Sequence, residues 1–328
     1  MRVAERHTQD AVPDVKRGLI TWDKARLPPS AFATRLNALN QLMDRHAIPA
    51  LVVYTDVWRA NDVRYVSNYM PYWNRAFAVI PRGEKPVLLC SLSPRVYPWI
   101  KTVTIHESII PSPNLPVQLM KLATERGWSR LGLLDYEGLP NDLYLQMRAE
   151  PLEVVDIPRS LVRVAPDAAE IAMHRRAAAI ARAALDDYLV ESATGLTEFK
   201  LIGRIERVVR RAGAEDLVAL VSDGHGAFRP ATRAPVTHNT SVMAAVEYSG
   251  HWAKVLRNVA GLISPVSSTA QPGSLETLSA SYPWQPVAAL ELPEVAVVAW
   301  QAELRDETGV RRFYGDTCLH RGAGMELI

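Results

Sequence analysis

The stretch Ser222 to Asn258, SDGHGAFRPATRAPVTHNTSVMAAVEYSGHWAKVLRN, commits the second half of the chain to a strand pair. Val242 to Val246 is a short apolar run rich in β-branched residues, which fits a strand. Ser249-Gly250 is a turn signal, and His251 to Arg257 returns as the second strand. The polar loop before the pair carries His225, Arg229, Arg233 and His238. Two facing strands and such a loop make the wall of a site.

The chain has 328 residues, 48% hydrophobic and 22% charged, which is an ordinary soluble globular composition. That length predicts two domains, each able to bury its own core. A net charge of +2 gives no electrostatic case for nucleic acid. The two cysteines, Cys90 and Cys318, lie in separate halves. Neither has the spacing of a metal site or a disulfide framework, so a reduced cytoplasm is expected. The N-terminus MRVAERHTQDAVPDVKRG lacks the apolar core of a secretion signal. No apolar run approaches the roughly 20 residues needed to span a bilayer, so no membrane role is expected.

In chain order, residues 1–30 read as an arm ending in Leu27-Pro28-Pro29-Ser30. Ser30 is placed to cap a helix from Ala31 to His46, whose apolar face is Phe32, Leu36, Leu39 and Met43. Ala50 to Tyr54 follows as a buried strand, and Asp62 to Tyr69 as a polar segment with aromatics. Phe77–Ile80 and Pro86–Cys90 form a predicted hairpin around Arg82-Gly83-Glu84. Further predicted elements are a helix over Val117–Arg126, a strand over Leu131–Leu134 and a helix over Asn141–Ala149. This alternation predicts a small α/β domain with a mostly parallel sheet over residues 31–160.

Asp156 to Asp167 is the expected boundary, and 161–328 the second domain. Asp167 caps a long helix from Ala168 to Glu191, with Glu170 as its capping-box partner. Thr197 opens another helix that runs to Arg211, and Gly213 stops it. Leu262 to Pro286, rich in Ser, Pro, Thr and Gly, reads as loop or short helix. The end returns to strands at Val295–Leu304, Val310–Tyr314 and Asp316–His320.

In this order the elements resemble a known family. "RLNALNQLMDRHAIPALVVY", "DVRYVSNY" and "RAFAVIPRGEKPVLLC" resemble the N-terminal domain of creatinase and prolidase. "PDAAEIAMHRRAAAIARAAL" and "GLTEFKLIGRIERVVRRAGAED" resemble the first two helices of the pita-bread catalytic domain. "AAVEYSGHWAKVLRN" is similar to its metal-bearing hairpin, and "GVRRFYGDTCLHRGAGMELI" to its final strands. The resemblance covers residues 31–328. It implies a creatinase-type α/β N-terminal domain followed by an α+β pita-bread C-terminal domain, here shortened. It also implies a homodimer whose N-terminal domain completes the partner's site around a small-molecule substrate.

Peptidases of that family hold two divalent ions, which activate a water, on two aspartates, a histidine and two glutamates. The matching positions here carry Met243 and Lys254 for the aspartates. Trp300 or Gln301, and Gly315, fall on the glutamates, and the histidine segment is missing. A lysine ammonium offers no lone pair and repels a dication. No metal and no other cofactor is therefore expected. Creatinase is the family's metal-free precedent, and it binds its substrate's carboxylate through an arginine of the neighbouring subunit.

The match to that arginine falls on Arg75, beside Tyr72 and Trp73, and implies a bidentate grip on a carboxylate. The plain alternative is an interface arginine stacked on tryptophan. His225 and His238 compete as the proton-moving group, and either can instead be a solvated loop histidine. Glu247 and Lys254 face each other across the turn as an expected ion pair, either replacing the metal structurally or polarising the substrate. Arg229 is a candidate for binding the substrate, and His251, Trp252, Trp300 and His320 are candidates for lining one hollow, although the tryptophans are more often core than ligand platforms. Asp316 and Arg257 are expected to be structural, and the arginines 204, 207, 210 and 211 a solvated helix face. The functional expectation is a metal-independent hydrolase or lyase acting on a C–N bond of a small carboxylated amine. Its alternative is an inactive pita-bread chain that serves as a binding or assembly module.

Overall fold

The structure is a computed structural model. It describes residues 21–71, 74–163, 165–189, 193, 195–259, 274–278, 286–287, 292–305, 308–322 and 324–328. Contacts divide the chain between Val164 and Ala165 into two units.

The N-terminal unit contains α1 (Pro29–Arg45), β1 (Ala50–Thr55), α2 (Asn61–Ser67), β2 (Ala76–Pro81), β3 (Val87–Cys90), α3 (Tyr97–Val103), β4 (Ser108–Pro111), α4 (Leu115–Glu125), β5 (Arg130–Leu134), α5 (Asn141–Ala149), β6 (Glu153–Ile157) and α6 (Arg159–Val162). Its six-stranded sheet has the order β4-β3-β2-β1-β5-β6. β2 pairs antiparallel with both neighbours, and the other pairings are parallel. Five strands therefore run one way and β2 alone opposes them. The carboxyl ends of β1, β3 and β4 and the entry to β2 share one edge of the sheet.

Alternation along the strands splits the core into two layers. Leu51, Val53, Ala78 and Ile80 pack with Leu39, Met43, Val66 and Ile100 on one face. Val52, Phe77, Val79 and Leu133 pack with Leu119, Leu122, Leu143 and Met147 on the other. Helices on both faces bury the central strands completely, as a parallel-type sheet requires.

Several elements depart from the expectation. The first helix begins at Pro29, because proline at the first helical position is pre-set for the helix and needs no N–H. Ser30 lies inside that helix rather than capping it. The segment Asp62–Tyr69 is largely α2, and α3, α6, β4 and β6 are additional elements. The hairpin around Gly83 is present as β2–β3, with Gly83 at positive φ.

The C-terminal unit opens with α7 (Ala168–Leu189) and α8 (Glu198–Arg211). Asp167 Oδ1 accepts the Glu170 N–H at 2.8 Å, and Thr197 Oγ1 accepts the Lys200 N–H, so both starts are capped as the sequence implies. The strands are β7 (Asp216–Ser222), β8 (Ser241–Tyr248), β9 (His251–Asn258), β10 (Ser274–Thr277), β11 (Pro286–Val287), β12 (Val295–Arg305), β13 (Arg311–Arg321) and β14 (Gly324–Leu327). The sheet order is β11-β10-β12-β13-β9-β8-β7, with β14 on β13.

β8 and β9 form the expected hairpin, and Ser249 and Gly250 both take positive φ in its turn. One continuous β13 replaces the two strands expected at 310–314 and 316–320. β7 adds an edge strand, and β10 and β11 lie in the stretch expected as loop or short helix. Residues 262–273 and 279–285 of that stretch fall outside the described residues.

Ile180, Ala184, Leu185, Leu201 and Ile205 of the two helices cover one face of the sheet at Val242, Ala244, Val246 and Val255. The other face carries Met243, Ala245, Trp252, Leu256, Val297, Ala299 and Leu319. Asp316, on the helix side, ties the sheet to α7 through Arg182 (2.9 Å) and receives Arg257 from β9 (2.9 Å). Asp316 and Arg257 thus have the structural roles expected of them.

Candidate functional site

On the sheet face away from the helices, a buried polar cluster around Lys254 lies among apolar side chains. Lys254 lies opposite Ala245 on β8. On the other side of β9, Thr317 Oγ1 accepts the Lys254 N–H at 2.9 Å and donates to its carbonyl at 3.1 Å. Thr317 lies opposite Ala299, and Ala299 opposite Glu276. Lys254 and Glu276 thus close a cross-strand row whose intervening side chains are small. The lysine stem crosses over them, and its Nζ reaches Glu276 Oε2 at 2.7 Å and Gln301 Oε1 at 3.0 Å. Both charged residues are buried, at 6% and 8% exposure. The ion pair expected with Glu247 is therefore made to Glu276 of β10. Glu247 shares the face but lies opposite Trp252.

The two-residue strand period sorts the other candidates. Trp252 shares the Lys254 face and is buried in its apolar cluster. Trp300 does not: it lies opposite Asp316 and packs with Ala296, Val298 and Cys318. His320 has the same parity as Asp316, and its Nδ1 lies 3.0 Å from the Pro293 carbonyl. His251 points to α7, where its ring meets that of His174 edge-on at 5.1 Å. Of the four residues expected in one hollow, only Trp252 shares the face of Lys254. Gln301, not Trp300, is the β12 side chain at that place.

The loop candidates are spread out. Arg229 grips Glu198 through both terminal nitrogens, at 2.8 and 2.9 Å. Burial would raise the Glu198 carboxyl, but the hydrogen bonds from Arg229 and Thr232 outweigh it and hold the group below the usual range. Arg229 is thus a clamp between its loop and the start of α8. The His225 N–H is held by Asp223 Oδ1 at 2.9 Å and its carbonyl by Arg311 at 3.0 Å. Its side chain is exposed, as is that of His238. Tyr72 and Trp73 fall outside the described residues. Arg75 belongs to the N-terminal unit, where it meets Asp142 at 2.5 Å.

The residues on the Lys254 face do not fit a pair of divalent ions. Met243 is a thioether in an apolar cluster, Lys254 is a cation, and Gln301 is a neutral amide already accepting from it. Glu276 is the one carboxylate shown at the cluster, and its Oε2 is on the ammonium. Among the described residues no group of three or more His, Cys, Asp or Glu could hold a metal ion. Gly315 leaves no room for a carboxylate: a Cβ there would come within 2.5 Å of the Trp300 carbonyl oxygen and 2.8 Å of Leu256 Cδ1. Gly315→Ala is accordingly expected to cost about 1–3 kcal/mol, because strand backbone has to move. Urea unfolding of the purified variant measures it, and an unchanged midpoint would contradict the close packing.

Glu276 is the residue that pattern reading misses. It lies in the Ser/Pro-rich stretch, and its one signal is that it is the only charged residue between Arg257 and Glu291.

No family model matches the chain, and no curated protein matches its sequence. Solved structures do match. The X-Pro aminopeptidase from Thermotoga maritima aligns with a TM-score of 0.69 at 15% identity, over 89% of this chain and 96% of that one. The prolidase from Pyrococcus horikoshii gives 0.70 at 15%, over 90% and 97%. The Xaa-Pro dipeptidase from Bacillus anthracis gives 0.68 at 15%, again over 90% and 97%. Both units together therefore have the two-domain pita-bread fold of these structures.

Proposed function

We propose that this pita-bread chain is a metal-independent, creatinase-like enzyme, a hydrolase or lyase acting on a C–N bond of a small carboxylated amine or guanidino compound. The observation that carries the reading is the Lys254 ammonium, held at 2.7 Å by Glu276 and 3.0 Å by Gln301 on the sheet face away from the helices. A fixed internal cation there supplies positive charge without a metal. In this reading Lys254, with Glu247 on the same face, polarises the substrate, and His225 or His238 moves the proton. No step is assigned to Arg75, whose guanidinium is engaged by Asp142.

A second reading has a specific observation in its favour. The Lys254 face is packed with buried Met243, Trp252, Leu256 and Leu319, and the ammonium already has two partners. Such a face suits a chain that keeps the fold as a binding or assembly module.

Thermal unfolding in EDTA against guanidino acids, N-methylated amino acids, betaines and proline dipeptides separates the two. A ligand at about 100 times its dissociation constant stabilises by roughly 2.7 kcal/mol. The enzyme reading expects a stabilising ligand, its slow turnover by the wild type, and turnover lost with binding retained in His225→Ala or His238→Ala. Absence of both stabilisation and turnover across the set overturns it in favour of the module.

A further inference from the structure

A cleft of about 650 Å³ opens in the N-terminal unit, lined among others by Asp56, Trp58, Arg75, Leu115, Asp142 and Leu143. Its place follows from the topology. Asp56 follows β1, other lining residues follow β3 and β4, and Arg75 precedes β2. The cleft therefore sits at the carboxyl edge of the five co-directional strands, where the antiparallel β2 interrupts them. Crevices at that edge are where open α/β sheets bind ligands.

The charges in the cleft do not balance. Among the described residues Arg75 is the only cationic one in the lining, and its bond to Asp142 holds that carboxyl below its usual range. Asp56 is the second carboxylate: its hydrogen-bond partners are neutral, and Arg75, already bonded to Asp142, attracts it through charge. Asp56 Oδ1 accepts the N–H groups of Trp58 (2.8 Å) and Arg59 (2.9 Å), and its Oδ2 accepts the Tyr54 hydroxyl (2.9 Å). These bonds fix its orientation and leave part of its acceptor capacity unused, since a carboxylate has about four lone-pair sites. The neutral polar groups nearby are committed elsewhere. Ser91 Oγ donates to the Arg75 carbonyl, and Asn114 caps α4 through the Val117 N–H. Beside Asp56 the indole of Trp58 is 77% exposed. Leu92, Leu115, Leu143 and two prolines supply apolar wall.

We infer that this cleft is a binding site for a small organic monocation, an alkylammonium or alkylguanidinium, whose charged head meets Asp56 and whose aliphatic stem lies along the apolar wall. An oriented carboxylate beside an exposed indole is the chemistry that recognises such a head, through a charge-assisted hydrogen bond and a cation–π contact. The site is independent of the chemistry proposed for the C-terminal unit.

Calorimetric titration of the full chain with n-butylammonium, n-butylguanidinium and butyrate tests it. The two cations are expected to bind saturably at about millimolar concentration and butyrate not to bind. Asp56→Asn keeps an acceptor oxygen for the loop N–H groups and is expected to weaken the cations at least about tenfold. Trp58→Ala removes an exposed side chain, so it reads the site even if the Asp56 variant does not fold, and it is expected to weaken them about threefold. No saturable binding of either cation, or equal binding to wild type and Trp58→Ala, overturns the inference. So does binding of butyrate alone, which would make Arg75 the recognition group.

Discussion

Replacing Lys254 with alanine is expected to destabilise the chain by about 3–5 kcal/mol, the cost of leaving a buried carboxylate without its partner. Glu276 is 8% exposed and its Oε2 lies 2.7 Å from the ammonium. With Lys254 truncated, Glu276 keeps its desolvation cost and loses the attraction that offsets it. The Gln301 oxygen also loses the ammonium as a donor. Glu276→Leu is expected to cost a similar amount, because it strands the ammonium instead. The double variant Lys254→Met with Glu276→Leu removes both charges and fills the volume with apolar groups, which is often near neutral. Urea unfolding of the two single variants and the double gives the coupling directly. A double variant as unstable as the sum of the singles would mean that the two side chains contribute separately, and the internal-cation reading would lose its foundation.

The residues involved show what the sequence made legible. The face that Lys254 takes is legible because β9 alternates and its turn is local: Ser249 and Gly250 take the positive φ that a tight hairpin needs. The caps of α7 and α8 were legible for the same reason, since Asp167 and Thr197 bond to N–H groups three residues on. The partner of Lys254 was not legible. Glu276 reaches it across β12 and β13, a relation set by sheet order and register rather than by spacing. The same limit put Trp300 and His320 in the wrong hollow. Their types suit a site, but β12 and β13 are long and regular, so parity decides the face, and parity depends on a register that the sequence leaves open. Among the strands not anticipated, β4 and β6 are edge strands of four and five residues. β7 has a legible apolar run, Leu217–Val221, obscured by the glycine-containing loop that follows it.

Acidification is expected to weaken the N-terminal unit through one histidine that no motif marks. His106 lies between α3 and β4, is 1% exposed, and faces the ring of Tyr69 edge-on at 6.4 Å. By strict geometry neither ring nitrogen has a hydrogen-bond partner among the described residues. Burial pushes its pKa down from 6.5 to about 4, and a weaker interaction with the Pro86 backbone opposes that only in part. Because the folded value is the lower one, the unfolded chain binds the proton first. The contribution of neutral His106 to stability is therefore fully present above pH 6.5, falls as the pH drops through the window down to about 4, and is gone below it. The shift corresponds to about 3 kcal/mol, at about 1.4 kcal/mol per pH unit. Carboxylates titrate over part of the same window, so the informative quantity is a difference. Urea midpoints of wild type and His106→Leu, measured from pH 7.5 down to about pH 4, should diverge in slope, the wild type losing about 3 kcal/mol more than the variant. Leucine cannot be protonated and leaves no ring nitrogen to satisfy, so its curve reports the carboxylates alone. Parallel curves would show that His106 is charged or solvated in the folded chain, and the acid sensitivity would then belong to other groups.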